Sequence, residues 1–400
     1  MIIARGKRRQ RYEFFGNYGA FVETRFIASL FMKRPCRCLS ILRLFVFLHL
    51  KFLEMSVFEK KKIQQVIDIL NDVRKIAIVS HFNPDGDAVG SSLALYHYLK
   101  NAGYEVTSIL PNPFPGFLAW MPLSSEIIVA EKSRKKAREA LKAADLIFVV
   151  DMNAPHRCGN ILEDVLAKST AHKILIDHHI MPDLDCDVMF STPKTTSTCE
   201  LVYQFLDKLS GNEDKITQEI AACIYVGMIT DTGSLSYACN YPLTYTIISR
   251  LMKKGIDGEQ IHRNVYDNYE ESRFKLLGLC LDHRLTLMRN LSTSYMYLNL
   301  KDLKENGYKA GDTEGFVNYG LSLKGIQFTA FFVEREDRIR ISFRSKGNFD
   351  VSHFARTHFN GGGHKNASAA FFYGTLEESI EHFKKAVKEY AEVLNPENFK

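Results

Sequence analysis

The chain runs Ser80-His-Phe-Asn-Pro-Asp-Gly-Asp-Ala-Val-Gly90 immediately after the apolar segment Ile76-Ala-Ile-Val79. The apolar segment is rich in β-branched residues and predicts a buried parallel strand. Side chains at the carboxyl end of such a strand project into the crevice where open α/β sheets bind ligands. We therefore expect His81, Asp85 and Asp87 to share one crevice. The alternative is an ordinary polar surface turn, for which Asn-Pro-Asp-Gly is also typical.

Three further apolar segments, each predicted as a strand, end at a residue that could bind a metal. They are Leu146-Ile-Phe-Val-Val150 before Asp151, Lys173-Ile-Leu-Ile176 before Asp177-His178-His179, and Cys223-Ile-Tyr-Val-Gly-Met-Ile-Thr230 before Asp231. This recurrence favours a shared site at one sheet edge over a set of unrelated turns. Two histidines and four aspartates are more ligands than one ion needs, so the pattern predicts a two-metal centre.

The ligand types narrow the choice of metal. Carboxylates and imidazoles without a thiolate suit Mn²⁺, Mg²⁺ or Fe²⁺ better than a structural zinc ion. Two ions roughly 3.5–4 Å apart are the usual arrangement for hydrolysis of phosphoesters. The pattern therefore indicates phosphoester chemistry.

Taken together, four motifs resemble those of the DHH phosphoesterase family: His-x-Asn-Pro-Asp-Gly-Asp-Ala-x-Gly, an isolated aspartate after a strand, Ile-Asp-His-His and Thr-Asp-Thr-Gly. The segment Phe359-Asn-Gly-Gly-Gly-His-Lys-Asn-Ala-Ser368 resembles the glycine-rich signature of the DHH-associated C-terminal domain. The resemblance extends from about residue 56 to the end of the chain. Within the family, this pairing of domains is most similar to nano-RNases that also dephosphorylate 3′-phosphoadenosine 5′-phosphate.

The resemblance implies a role for each residue of the metal motifs. Two Mn²⁺ ions are implied, with Mg²⁺ or Fe²⁺ as substitutes: His81 and Asp85 would bind the first, Asp87, His178 and Asp231 the second, and Asp151 would bridge both. His179 would face the scissile phosphate, and Asp177 would fix the orientation of an imidazole. The alternative for His179 is that it only supports the neighbouring histidine.

The resemblance also implies how the substrate is held. Gly362, Gly363 and His364 would contact the nucleotide in the cleft between domains, together with Arg344 on a neighbouring strand. Arg340 is the alternative to Arg344. The glycine run could instead be a flexible loop without a binding role.

The order of predicted elements gives an α/β fold, with a mainly parallel sheet flanked by helices and a smaller α+β C-terminal domain. The active site is expected in the interdomain cleft. The predicted boundaries are residues 55–245 for the DHH domain, 246–290 for a helical linker and 291–400 for the substrate-binding domain. Predicted elements include helices at Ser91–Asn101, Thr198–Leu209 and Thr375–Leu394, and C-terminal strands at Tyr295–Leu300, Ile326–Glu334 and Arg338–Arg344.

Residues 1–54 differ in composition from the rest of the chain. They carry 11 basic and 3 acidic residues, whereas the remainder has 41 basic and 43 acidic residues. We interpret them as a leader that is disordered or not native, with Met55 as the true start; a helix packed on the core is the alternative. The near-neutral remainder lacks the broad basic surface of a protein that tracks long nucleic acid.

Eight cysteines without a CxxC pair indicate a reducing compartment, and we expect a cytoplasmic protein without a membrane anchor. The predicted function is Mn²⁺-dependent hydrolysis of short oligoribonucleotides to mononucleotides and dephosphorylation of 3′-phosphoadenosine 5′-phosphate. Short RNA or DNA and small nucleotides are the expected partners, and a homodimer is left open. The alternatives are a cyclic or linear dinucleotide phosphodiesterase, an inorganic pyrophosphatase and a non-enzymatic nucleotide-binding module.

Overall fold

The computed structural model describes residues 57–211, 213–309 and 311–399. The predicted leader, residues 1–54, and the question of its native state lie outside the described residues. No helix in the described part of the chain has the length and apolar character needed to cross a membrane.

The first half of the described chain forms a six-stranded parallel sheet in the order β3-β2-β1-β4-β5-β6. The strands are β1 Lys75–Val79, β2 Glu105–Leu110, β3 Ile128–Val129, β4 Leu146–Val150, β5 His172–Asp177 and β6 Val188–Ser191. The helices are α1 Lys60–Asp72, α2 Gly86–Asn101, α3 Arg134–Ala143, α4 Glu163–Lys168, α5 Thr198–Ser210 and α6 Gln218–Asp231. The predicted α/β architecture is confirmed.

The sheet is covered on both faces, which explains its continuous apolar strands. Ile76 and Ile78 of β1 pack in one hydrophobic cluster with Leu93 of α2. Ala77 and Val79 of the same strand belong to a second cluster on the opposite face. Strand β2 pairs with one edge of β1, and β4 later pairs with the opposite edge of β1. The strand order therefore reverses between β1 and β4. Ligands bind outside the carboxyl ends of strands at such a point.

Three helices connect this sheet to a second one: α7 Pro242–Lys253, α8 Gly258–Tyr266 and α9 Glu271–His283. The second sheet is mixed, in the order β11-β12-β10-β9-β8-β7, and only its β8–β9 pair is parallel. Its strands are β7 Thr286–Met288, β8 Thr293–Leu298, β9 Phe328–Glu334, β10 Ile339–Ser345, β11 Asn360–His364 and β12 Ala367–Phe372. Its helices are α10 Leu300–Glu305, α11 Phe316–Leu321, α12 Val351–His358 and α13 Leu376–Lys388.

Strand alternation builds the core of this second domain. Phe328 and Phe332 of β9 pack in an aromatic cluster with Phe383 of α13. Phe331 of the same strand faces the other side and packs with Phe316 of α11. The predicted C-terminal strands exist, with ends shifted by one to two residues. The closing helix begins with a capping box between Thr375 and Glu378, and it ends at Lys388 and not near residue 394.

Two elements differ from the sequence prediction. The apolar run before Asp231 is not a strand but the end of helix α6. This helix is buried nearly all round, so its sequence lacks the polar face that normally distinguishes a helix from a buried strand. The glycine run is not a loop but strand β11, which pairs with β12 at the sheet edge.

Helix α2 begins at Gly86, five residues before the predicted start. Asp85 caps it by accepting hydrogen bonds from the backbone N–H groups of Asp87 and Ala88, at 3.0 and 3.1 Å. Asp87 therefore lies in the first turn of a helix and not in a loop. This places Asp85 and Asp87 at different positions around the helix start.

Candidate metal centre

Four segments bring the predicted ligands together at the carboxyl edge of the parallel sheet. The segment that leads from β1 into α2 carries His81, Asp85 and Asp87, β4 is followed directly by Asp151, and β5 ends in Asp177 before two histidines. Asp231 arrives differently, at the last position of α6. This helix reaches the site because α2 and α6 cross closely at glycines: a Cβ on Gly90 would lie 2.5 Å from the carbonyl oxygen of Cys223.

The first group that could hold an ion consists of His81, Asp85 and Asp151, whose ligand atoms all lie within 4.8 Å of one another. His81 Nε2 lies 3.3 Å from Asp151 Oδ2 and 3.9 Å from Asp85 Oδ1. His81 Nδ1 lies 2.9 Å from the carbonyl oxygen of Phe82, to which it can donate. In that tautomer the Nε2 lone pair faces the carboxylates, and a cation between them would satisfy all these acceptors.

The second group consists of Asp87, Asp151 and His178, again with ligand atoms within 4.8 Å. His178 Nε2 lies 3.5 Å from Asp151 Oδ1, 3.9 Å from Asp87 Oδ2 and 3.3 Å from Asp231 Oδ2. Asp151 thus belongs to both groups and directs one carboxylate oxygen toward each. This geometry fits a carboxylate shared by two neighbouring cations.

The electrostatics of the cluster favour cations. Burial raises the pKa of Asp87 well above its usual range, and the charges of Asp151 and Asp85 raise it further. Burial and the Asp87 carboxylate likewise raise the pKa of Asp231. Burial lowers the pKa of His178 to about 4, which leaves its imidazole neutral and able to act as a ligand. Crowded carboxylates and neutral imidazoles in a buried site are the donor set expected of a centre for hard divalent ions.

Cys199 places a thiol beside this cluster, with Sγ 3.6 Å from the backbone oxygen of Asp87. Burial and the Asp87 charge raise its pKa well above the usual range. The thiol therefore stays protonated and is a poor metal ligand. This agrees with the oxygen and nitrogen ligand set that the sequence predicts.

His179 is oriented by Asp177. Its Nδ1 lies 2.7 Å from Asp177 Oδ1, and its backbone N–H donates to Asp177 Oδ2 at 3.1 Å. Burial lowers the pKa of His179 to about 3 and raises that of Asp177 to about 7, to which the Asp151 charge also contributes. With Nδ1 held by the carboxyl group, Nε2 of His179 remains free to hold or accept a proton.

The second domain reaches the centre through His364 of β11. Its ring stacks on that of His179 with centroids 4.6 Å apart, and its centroid lies 4.8 Å from that of His178. Burial lowers the pKa of His364 to about 2. The glycine-rich strand therefore presents a neutral imidazole directly at the candidate metal centre.

Arg344 lies on β10, on the same face of the strand as Arg340. Its Nη1 donates to the carbonyl oxygen of Phe343 at 2.9 Å, whereas its buried Nε has no partner among the described residues. Burial lowers the pKa of Arg344, and the charge of Asp231 opposes this. A guanidinium with such an unpaired Nε beside a candidate metal centre is suited to bind an anion.

Gly362 and Gly363 occupy the middle of β11. A Cβ on Gly363 would lie 2.7 Å from the carbonyl oxygen of Ala367, so this position has no room for a side chain. A Cβ on Gly362 would meet no atom within 4 Å, so its backbone faces open space. A ligand could approach the chain closely there.

The start of helix α5 supports the centre, a role that sequence reasoning missed. The backbone N–H groups of Thr198 and Cys199 donate to the two carboxylate oxygens of Asp87 at 2.6 and 2.8 Å. The hydroxyl of Thr198 donates to Asp151 Oδ1 at 3.0 Å. The Ser197 cap marks this helix start in the sequence, but nothing in the local pattern shows which carboxylate it meets.

Comparison with known proteins identifies similar domains. The model of the DHH family N-terminal domain matches residues 75–228, and that of the DHHA1 domain matches residues 292–393. A Thermus thermophilus protein named bifunctional oligoribonuclease and PAP phosphatase NrnA is 27% identical over 331 residues, which cover 82% of this chain and 94% of that protein.

Two solved structures are also similar. An exopolyphosphatase-related protein from Bacteroides fragilis is 40% identical, with a TM-score of 0.81, covering 85% of this chain and 99% of that one. The structure of RecJ in complex with Mn²⁺ from Thermus thermophilus has a TM-score of 0.51 at 14% identity, covering 84% of this chain and 55% of that one. The second likeness concerns the fold alone.

Proposed function

The chain belongs to the DHH family of metal-dependent hydrolases, and we propose that its substrates are short oligoribonucleotides and 3′-phosphoadenosine 5′-phosphate. The main support is the pair of ligand groups that share Asp151, with His364 of the second domain placed beside them. Phosphate esters are the substrates that such a pair of cations stabilises best. The named activities of the Thermus thermophilus relative support the choice of nucleotides.

We propose two Mn²⁺ ions, with Mg²⁺ or Fe²⁺ as substitutes. His81 and Asp85 would hold the first, Asp87, His178 and Asp231 the second, and Asp151 both. When bound, the two cations supply positive charge that stabilises the negative charge developing on the phosphoryl oxygens. The residues around them fix this arrangement, because the α5 backbone binds Asp87 and the Thr198 hydroxyl binds Asp151.

His179 is proposed to act on the phosphate. Its neutral imidazole is held at Nδ1 by Asp177, so its Nε2 can take up a proton when the negative charge of a bound phosphate group raises its pKa. The protonated ring can then donate to a phosphoryl oxygen or to the leaving group. The Asp177 carboxyl group stabilises that charge at a distance of 2.7 Å.

Substrate binding is assigned to the C-terminal domain, residues 291–400. In this proposal, a helical linker at 246–290 joins that domain to the DHH domain at 55–245. Arg344 would bind a phosphate, Gly362 and Gly363 would let the backbone approach the nucleotide, and His364 would contact the scissile group. Because the metal ligands and the substrate-binding residues lie on different domains, turnover requires both domains to contact one substrate.

The proposal is tested with a panel of Mn²⁺-dependent assays on the purified chain. The substrates are di- to pentaribonucleotides, 3′-phosphoadenosine 5′-phosphate, cyclic di-adenylate, pyrophosphate and inorganic polyphosphate. We expect turnover of the first two classes and at most slow hydrolysis of the others. A preference for cyclic di-adenylate, pyrophosphate or polyphosphate would contradict the proposed substrates, and binding without turnover of any substrate would contradict the proposed enzyme.

A further inference from the structure

Phe82 is an exposed aromatic residue in a rigid turn beside the candidate metal centre. It directly follows His81, which is 7% exposed, yet its own residue exposure is 43%. The next residue, Asn83, has a left-handed backbone with φ 57°. Its N–H donates to Asn112 Oδ1 at 2.7 Å, and Asn112 donates back to Asn83 Oδ1 at 3.1 Å. Hydrogen bonds therefore fix this turn, and the Phe82 ring remains partly exposed to solvent.

Arg157 shares this surface with Phe82. It lies in the short 3₁₀ helix Pro155–Cys158 that follows Asp151, and its carbonyl oxygen accepts a hydrogen bond from the Phe82 N–H at 2.6 Å. The Phe82 ring lies over Gly159, where a Cβ would be 3.0 Å from ring atom Cδ2. The turn after β1 and the turn after β4 thus present one aromatic ring and one guanidinium together.

The side chain of Arg157 lies next to Asn153. Among the described residues its guanidinium contacts the side-chain oxygen of Asn153 at 3.5 Å and forms no ion pair. Asn153 in turn donates from its side-chain nitrogen to the carbonyl oxygen of Ile180, the residue after His179, at 2.8 Å. The guanidinium therefore lies near the turn that carries His179, and its remaining N–H groups can donate to an anion.

We propose that Phe82 and Arg157 form a second nucleotide subsite, on the side of the scissile phosphate away from the C-terminal domain. The Phe82 ring stacks on the base of that nucleotide, and the Arg157 guanidinium pairs with its phosphate. Aromatic stacking is sequence-tolerant because every base has a π-face. The inference rests on the proposed function and deepens it.

The subsite should contribute differently to the binding of the two proposed substrate classes. An oligonucleotide has nucleosides on both sides of an internal phosphate, so one of them occupies this subsite. In 3′-phosphoadenosine 5′-phosphate the single nucleoside is held by the C-terminal domain, and none remains for Phe82. The subsite therefore contributes to binding of oligonucleotides and not to binding of this mononucleotide.

The test compares KM and kcat for a triribonucleotide and for 3′-phosphoadenosine 5′-phosphate. Phe82→Ala and Arg157→Met should each raise the KM for the trinucleotide about fivefold to tenfold, as expected from loss of one stacking or ionic contact. KM for 3′-phosphoadenosine 5′-phosphate should stay within about twofold. Phe82→Tyr, which keeps the ring, should behave as the wild type.

Tyr373→Ala and Arg134→Ala remove an exposed ring and an exposed cation elsewhere and serve as matched controls. Thermal melting and Mn²⁺ titration establish that each variant is folded and loaded. An unchanged trinucleotide KM, or an equal loss on both substrates, would refute the subsite while the proposed function stands. A wild-type protein inactive on both substrates would refute the proposed function, and the subsite with it.

Discussion

The two sheets of this protein differ in which atoms form their candidate binding groups. At the parallel sheet, side chains form the candidate binding groups. Buried carboxylates and imidazoles converge there from four segments, and further hydrogen bonds hold them in place. At the mixed sheet, the candidate groups are the backbone of β11, with its three successive glycines, and Arg344 of β10, whose Nε has no partner among the described residues. The first arrangement positions charge for chemistry, whereas the second leaves space and donors for a ligand. We therefore expect substitutions at the parallel sheet to affect turnover and those at the mixed sheet to affect substrate binding.

The largest expected effect is that of Asp151→Ala. Both ligand groups share this carboxylate, so its loss should reduce kcat by more than about a thousandfold and lower the bound Mn²⁺ content. Kinetics and metal analysis of the purified variant test this. Asp164→Asn, which alters a surface ion pair with Arg138, is the control and should retain activity. Near-normal turnover by a folded Asp151→Ala variant would contradict the site assignment.

Thr198→Val removes the hydroxyl that binds Asp151 while it keeps the side-chain volume. Outer hydrogen-bond partners of metal ligands typically contribute about tenfold to a hundredfold to metal affinity. We expect a loss of that size in Mn²⁺ affinity, measured by titration, with kcat largely restored at saturating metal. Thr246→Val on the exposed face of α7 is the matched control. Unchanged affinity in Thr198→Val would show that the α5 backbone alone orients the centre.

Arg344→Ala should raise the KM for short oligonucleotides about tenfold or more and change kcat less, because it removes a contact made before the chemical step. Arg340→Ala tests the alternative arginine on the same face of β10 and should have the smaller effect. The comparison is made by steady-state kinetics on one trinucleotide. A larger effect of Arg340→Ala would indicate that Arg340, and not Arg344, binds the phosphate.

The smallest expected effect is that of Gly362→Ala. A Cβ at this position meets no protein atom within 4 Å, so the variant should melt like the wild type. Its KM should nevertheless rise by about threefold, since the methyl group stands where a ligand would approach. Gly361→Ala is the contrasting variant, because its Cβ would lie 2.4 Å from the carbonyl oxygen of Ala369. The Gly361→Ala variant should therefore have a lower melting temperature. Equal melting temperatures for the two variants would contradict the inference that β11 faces open space at Gly362.

Local sequence was sufficient for the strands that carry the predicted ligands. Buried parallel strands need continuous apolar residues, so a polar residue directly after such a run stands out. This holds for β1, β4 and β5, and the alternation of β10 places Arg340 and Arg344 on one face of that strand. It fails for α6, because a helix buried on all sides has the same apolar composition as a buried strand. Asp231 therefore lies 3.3 Å from His178 at the end of a helix, and not after a strand as the sequence predicts.

The chain order of amino acids determined which residues could bind metal and phosphate, because carboxylates, imidazoles and glycines are recognisable one segment at a time. Only the tertiary structure decided which of them meet. Thr198 contacts Asp87 across 111 positions of the chain, and Phe82 meets Arg157 through a hydrogen bond between two separate turns. No local pattern encodes such pairings, since they depend on how whole strands and helices pack. The same packing places His364 against His179 and joins the two domains in one candidate site.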